Sequence, residues 1–279
     1  MKYLAEKEWV LSKLDDSNIR IADCRFKLGS PDEGRSLYDH SHIPHAVYFD
    51  LEKDLSGPVR EHGGRHPLPD PAQLKKVLEK AGISRDTTVI AYDGGEGAFA
   101  ARFWWLLRYL GHEKVFVLNG GYKEWAESDY PLTKEVPSME RADFKIDLQP
   151  DKLASYEEVK SVAGNQDSAV LIDSREEKRY LGLEEPIDKK AGHIPGAINK
   201  VWLEAYKNGR FKDTKEQENR FAGMDKNKPI IVYCGSGVTA APNFLALKEA
   251  GYKHVKLYAG SFSDWISYDS NKIETVEKY

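Results

Sequence analysis

The chain has 279 residues, long for one domain and comfortable for two that each bury a core of their own. A content of 41% hydrophobic and 31% charged residues fits an ordinary globular protein, and a formal charge of −4 argues against a general nucleic-acid binder. The N-terminal MKYLAEKEWVLSKLDD scatters acids through a stretch with no apolar centre, so it does not read as a secretory signal, and the apolar helix around Phe103–Leu110 is too short to span a bilayer.

In chain order, one pattern is written twice. IRIADCR, from Ile19 to Arg25, returns as VLIDSR, from Val170 to Arg175, with Asp23 opposite Asp173. The tripeptide HIP at His42–Pro44 recurs at His193–Pro195, followed by Ala46 and Ala197. Because the motif stands in both halves, it reads as a structural turn and not as a catalytic histidine. The strand VIAYD, Val89–Asp93, answers IIVYC, Ile230–Cys234; Gly111, Gly120 and Trp125 then answer Gly251, Gly260 and Trp265 at one shared offset. Each copy alternates short apolar strands with amphipathic helices, the signature of a parallel α/β sheet with helices on both faces. Two tandem α/β domains are therefore expected, at residues 1–135 and 152–279. The polar stretch Pro131–Lys152 joins them and reads as a strap, because it lacks the glycine and serine runs of a flexible tether.

The second copy carries the chemistry. In PIIVYCGSGVTAA, Ile230–Tyr233 reads as a strand buried on both faces; after Thr239, Phe244, Leu245, Leu247 and Ala250 fall at helical spacing until Gly251. Cys234 thus sits at a strand-to-helix turn, the end of an open α/β sheet where reactive groups gather. Gly235 and Gly237 let the loop curl with its N–H groups inward, and the following helix start adds unpaired amides and a positive dipole end. A thiol so placed is expected to be largely thiolate, since helix N-termini lower cysteine pKa values from about 8.5 to roughly 3.5–7.5. The corresponding position in the first copy holds Asp93, in YDGGEGAFA, which keeps the glycine loop without a nucleophile. Cys24, directly after the strand-like IRIAD, reads as a structural or incidental thiol. Metal-ligand spacings, a P-loop and GxGxxG are absent.

The heptapeptide CGSGVTA, Cys234–Ala240, resembles the active-site loop of the rhodanese-type sulfurtransferases, most of all the mercaptopyruvate branch, in which glycine and serine follow the cysteine. Phosphatases of the same fold place a phosphate-gripping arginine where this chain has Ala240. The resemblance covers nearly the whole chain and implies a cytoplasmic tandem enzyme whose N-terminal domain is non-catalytic. It implies ping-pong transfer of a sulfane sulfur through a Cys234 persulfide, with no cofactor. The implied donor is small and anionic, 3-mercaptopyruvate before thiosulfate, and the acceptor is a thiophile such as cyanide, a cellular thiol or thioredoxin; neither nucleic acid nor membrane is implied as a partner. Gly235, Gly237, Val238 and Thr239 would cradle the anion. Arg179, before Tyr180 in DSREEKRYLG, would bind the donor, with Arg175 either assisting or pairing internally with Asp173 or Glu176.

Two further expectations come from the resemblance. Ser236 and His66, in the loop GGRHPLP, match two members of a proton relay; Glu52 takes the third place, with Asp50 beside it. Mercaptopyruvate enzymes usually carry a second arginine nine positions after the first, where this chain has Asp188, with Lys189 and Lys190 as substitutes within reach. A competing class is a redox-sensing or binding module, which would need a resolving thiol, and Cys24 is the candidate.

Overall fold

The computed structural model describes residues 1–165 and 168–276, so the last three residues of the expected C-terminal domain lie outside the described ones. Contacts divide the chain into two units. The first contains Met1–Gly57, Pro69–Gln149 and Lys207–Phe211; the second contains Pro58–Leu68, Pro150–Tyr206 and the residues from Lys212 onward.

In the first unit, strands β1 (Leu4–Ala5), β2 (Ile19–Asp23), β3 (Ala46–Tyr48), β4 (Thr88–Tyr92) and β5 (Val115–Leu118) form a sheet of order β1-β5-β4-β2-β3 in which every pairing is parallel. Helices α1 (Lys7–Leu11), α2 (Glu33–His40), α3 (Pro71–Lys80), α4 (Ala98–Tyr109) and α5 (Gly121–Glu127) connect them. The apolar run read as a helix around Phe103 is α4, buried along nearly its whole length, which explains why it is apolar all round. The second unit repeats the plan. Helix α6 (Tyr156–Val162) precedes β6 (Val170–Asp173), α7 (Glu177–Tyr180) and β7 (Ile198–Asn199). A hairpin of β8 (Tyr206–Lys207) and β9 (Arg210–Phe211) intervenes, then come α8 (Thr214–Arg220), β10 (Ile230–Tyr233), α9 (Ala240–Glu249), β11 (Val255–Leu257) and α10 (Ser261–Trp265). The sheet order is β11-β10-β6-β7, again parallel.

The duplication reaches the cores. Ile21, Ile43, Ile90, Tyr92 and Trp125 fill the first; Leu171, Ile194, Ile231, Tyr233 and Trp265 fill the second in the same order. The HIP turns are built alike. His42 Nδ1 lies 2.7 Å from the Tyr38 carbonyl with the rings stacked at 3.9 Å, and His193 Nδ1 lies 2.7 Å from the Tyr180 carbonyl with the same ring distance. The following amides of Ile43 and Ile194 donate to the hydroxyls of Tyr92 and Tyr233. Both histidines hold a turn shut.

The stretch from Pro131 behaves as a strap on the first unit. The amides of Ala142, Asp147 and Gln149 donate to carbonyls of Glu79, Leu110 and Tyr109, Phe144 is buried, and Arg141 pairs with Glu79. Two features were not legible beforehand. Residues 58–68, which follow the first copy's β3, belong to the second unit, and residues 207–211 belong to the first. The hairpin turns on Asn208 and Gly209, both at positive φ, the geometry a tight two-residue turn needs.

Candidate active site

Strand β10 is fully buried and delivers Cys234 to the sheet's carboxyl edge, where the side chain is 1% exposed. The loop beyond it is fastened on several sides. The Cys234 amide donates to Ser261 Oγ at 3.1 Å, and the amides of Phe262 and Ser263 donate to the carbonyls of Cys234 and Gly235. Gly237 has φ +78°, and a Cβ there would run into the Ala259 carbonyl oxygen, so glycine is required twice over. That curl turns the Gly237 N–H onto Cys234 Sγ at 3.1 Å. Ser261 Oγ lies 4.0 Å from the same sulfur, and Ser261 is one of the few non-glycine residues at positive φ. Its conformation is fixed by the bond its hydroxyl donates to the Tyr258 carbonyl. Gly235, Ser236, Gly237 and Val238 are buried, and Thr239 stands at the start of α9.

The first unit displays what such a loop can hold. There the Asp93 carboxylate accepts N–H bonds from Gly95, Gly97, Phe99 and Ala100 at 2.8–3.1 Å. Burial pushes the Asp93 carboxyl up while these amides pull it down. The loop is a nest for an anion, and in the first copy its own aspartate fills it.

His66 and Ser236 come together: Nδ1 and Oγ are 2.8 Å apart, with the side chains 7% and 6% exposed. The loop of His66 is stitched to the segment after β11. The Gly63 amide donates to Asp264 Oδ1 at 2.7 Å, the Arg65 amide to Ser263 Oγ at 3.1 Å, and a Cβ on Gly64 would strike the Gly260 carbonyl. Glu52 and Asp50 belong to the first unit. Glu52 is exposed, and the buried Asp50 carboxylate caps its own turn by accepting the amides of Glu52 and Lys53.

Three arginines and three carboxylates interlock above the loop. Arg175, 1% exposed, is bound by Asp173 (Nη2–Oδ2 2.6 Å) and the Gly192 carbonyl, and it lies over the Phe262 ring. The first copy has the same pair, Asp23 with Arg25 at 2.6 Å over Tyr122, although its glycine loop carries Asp93 in place of a cysteine. Arg175 is thus paired with Asp173, one of the internal partners expected for it. Arg179 reaches Glu185 through Nε and Nη2 at 3.1 and 2.8 Å and Asp188 Oδ2 through Nη2 at 3.0 Å. Asp188 also receives Arg65, through Nη1 on Oδ1. Burial lowers the Arg65 pKa, and the neighbouring Cys234 raises it. Lys190 turns to Asp269, 3.7 Å away. Sequence reasoning singled out His66 and passed over Arg65 beside it; the signal available was their shared glycine-bounded loop.

Cys24 is buried, and desolvation together with Asp23 and Asp93 drives its thiol pKa well up, which makes it a poor thiolate. Among the described residues, no cluster of three or more His, Cys, Asp or Glu side chains could hold a metal, and no helix is long and apolar enough to cross a membrane.

Comparison with known proteins agrees with this architecture. The rhodanese-like domain model matches residues 6–128 and again 155–268. The chain is 40% identical over 270 residues, 95% of either sequence, to a Pseudomonas aeruginosa protein named a probable 3-mercaptopyruvate sulfurtransferase. It is 34% identical over 95% of its length and 90% of the relative's to a thiosulfate sulfurtransferase of Mus musculus. A crystal structure of a 3-mercaptopyruvate sulfotransferase from Escherichia coli superposes with a TM-score of 0.82 at 33% identity, covering 94% of this chain and 100% of that one. With two tandem copies of the domain, the chain belongs to the rhodanese-like domain family.

Proposed function

We propose that the protein is a sulfurtransferase that moves a sulfane sulfur from a small anionic donor, 3-mercaptopyruvate in preference to thiosulfate, to a thiophilic acceptor through a persulfide on Cys234. The observation that carries the donor preference is the Ser236–His66 contact of 2.8 Å beside the cysteine loop. In the first half-reaction the Cys234 thiolate attacks the donor sulfur. The carbon–sulfur bond breaks and its electron pair leaves as the enolate of pyruvate. The donor's thiol proton passes to that carbon, so pyruvate departs and Cys234 keeps a persulfide anion. An enolate needs a proton delivered as it forms, and a hydroxyl backed by an imidazole is suited to that task. The proposed relay uses only Ser236 and His66, the pair that the second unit itself contains.

The terminal sulfur of the persulfide rests in the nest of loop amides, for which Gly237 N–H on Sγ and the four amides around Asp93 are the supporting geometry. A thiophile then attacks this outer sulfur; with cyanide the products are thiocyanate and the Cys234 thiolate. Arg179 is the guanidinium proposed to meet the donor's carboxylate, while Arg175 braces the floor. Thiosulfate is the second reading, favoured by the guanidinium of Arg65 next to Gly235, since a compact dianion gains from positive charge at that point. Steady-state assays with both donors and cyanide decide between them: a higher kcat/KM for 3-mercaptopyruvate is expected, and a higher value for thiosulfate would reverse the donor assignment.

A further inference from the structure

The arm that carries His66, residues 58–68, is rich in glycine and proline, so its own backbone does not fix where the imidazole stands. It is held by α10 and the residues around it. The Gly63 amide donates to Asp264 Oδ1 at 2.7 Å and the Arg65 amide to Ser263 Oγ at 3.1 Å; His62 Nδ1 lies 2.7 Å from Ser267 Oγ, with its ring stacked on Tyr268. The second oxygen of Asp264 accepts the Tyr258 hydroxyl at 2.5 Å. Burial and the Asp264 carboxylate push the Tyr258 pKa up, so that hydroxyl keeps its proton and remains a donor. Asp264, 4% exposed, thus has one oxygen on the residue after β11 and the other on the arm. The same short element grips the sulfur loop: the amides of Phe262 and Ser263 donate to the carbonyls of Cys234 and Gly235, and Ser261 Oγ accepts the Cys234 amide. Nucleophile loop and histidine arm are therefore set in one frame.

We infer that Asp264 is the positioning residue of the proposed relay, the clamp that holds the arm so that His66 meets Ser236. It acts through the backbone of the arm, by where its oxygens stand and not by its charge. The first unit has a counterpart. Glu124 precedes Trp125 as Asp264 precedes Trp265, and its Oε1 accepts Arg210 Nη1 at 2.5 Å from residues 207–211, the segment of the second copy that the first unit takes in. In each unit the acid before the tryptophan fastens the incoming segment. Only in the second does that segment bring a histidine to a cysteine loop. Asp264 thus supplies support that neither Glu52 nor Asp50 provides, since both of those belong to the first unit. The inference rests on the Ser236–His66 relay proposed above.

The test is single-turnover persulfide formation on the full chain with 3-mercaptopyruvate and with thiosulfate, together with a thermal melt of each variant. Asp264→Ala removes both contacts and is expected to slow sulfur uptake from 3-mercaptopyruvate by about ten- to a hundredfold, the cost of a misplaced catalytic group, and uptake from thiosulfate by no more than about threefold. An asparagine keeps both contacts, its oxygen toward the Gly63 N–H and its NH2 toward the Tyr258 oxygen, so Asp264→Asn should stay within about threefold of wild type with either donor. Ser263→Ala removes only the acceptor of the Arg65 amide and should show the same asymmetry at about three- to tenfold, which keeps the test open should Asp264→Ala fail to fold. Equal losses with the two donors, or Asp264→Asn falling as far as Asp264→Ala, would overturn the inference alone. A 3-mercaptopyruvate rate that Ser236→Ala leaves unchanged would overturn the relay itself and the inference with it.

Discussion

Replacing Ser236 with alanine removes one oxygen from the site and separates the two candidate donors by their chemistry. Oγ is 2.8 Å from His66 Nδ1, and both side chains are buried. General acid catalysis of this kind contributes about 10²- to 10⁴-fold. The enolate leaving 3-mercaptopyruvate needs that proton; sulfite leaving thiosulfate does not. Ser236→Ala is therefore expected to lower kcat with 3-mercaptopyruvate by about a hundredfold or more, and kcat with thiosulfate by no more than about threefold. His66→Ala should show the same asymmetry. The assay is single-turnover persulfide formation with each donor, which isolates the first half-reaction from sulfur removal, with a melt to confirm folding. Equal losses with the two donors, or no loss with either, would refute the relay.

Asp93→Asn should leave persulfide formation intact while lowering stability by about 1–3 kcal/mol, because an amide group cannot accept all four of the N–H bonds that the carboxylate receives; a melt and an intact-mass assay check both halves. Gly237→Ala should cost at least ~1–2 kcal/mol from its left-handed φ alone and slow sulfur uptake, since the Ala259 carbonyl forces the loop to shift; an unchanged melt and rate would contradict this. His112 is buried, and desolvation pushes its pKa down to about 4, so the unfolded chain takes up the proton first as pH falls. Its contribution to stability is present above pH 6.5 and lost as pH drops through about 4; His112→Gln should flatten denaturant midpoints across that window, and an unchanged slope would count against it.

The sequence was most readable where local chemistry decides the outcome. The unbroken run Ile230–Tyr233, the glycines at 235 and 237 and the helix from Ala240 to Gly251 each carry their own conformational reason, and the structure has β10 and α9 at those places. The repeat of IRIADCR in VLIDSR returns in the structure as the same Asp–Arg ion pair in each half, Asp23 with Arg25 and Asp173 with Arg175, whereas the sequence alone had left Arg175 open between two roles. What the residues could not announce was the pairing of Arg65 with Asp188, groups far apart in sequence that meet only after the loop at 58–68 joins the second unit. A periodicity argument has no purchase on a glycine-rich loop, whose course is set by its contacts with Gly260, Ser263 and Asp264. Ser261 was hidden for a related reason: its importance lies in a positive φ and a bond to the Cys234 amide, neither of which a serine codon signals.

The central claim is that Cys234 carries the transferred sulfur, and peptide mass spectrometry after incubation with 3-mercaptopyruvate tests it most directly. The account predicts one added sulfur atom on the peptide containing Cys234, removed by cyanide and absent from Cys234→Ser. Sulfur found on Cys24 instead, or turnover that survives in Cys234→Ser, would contradict it.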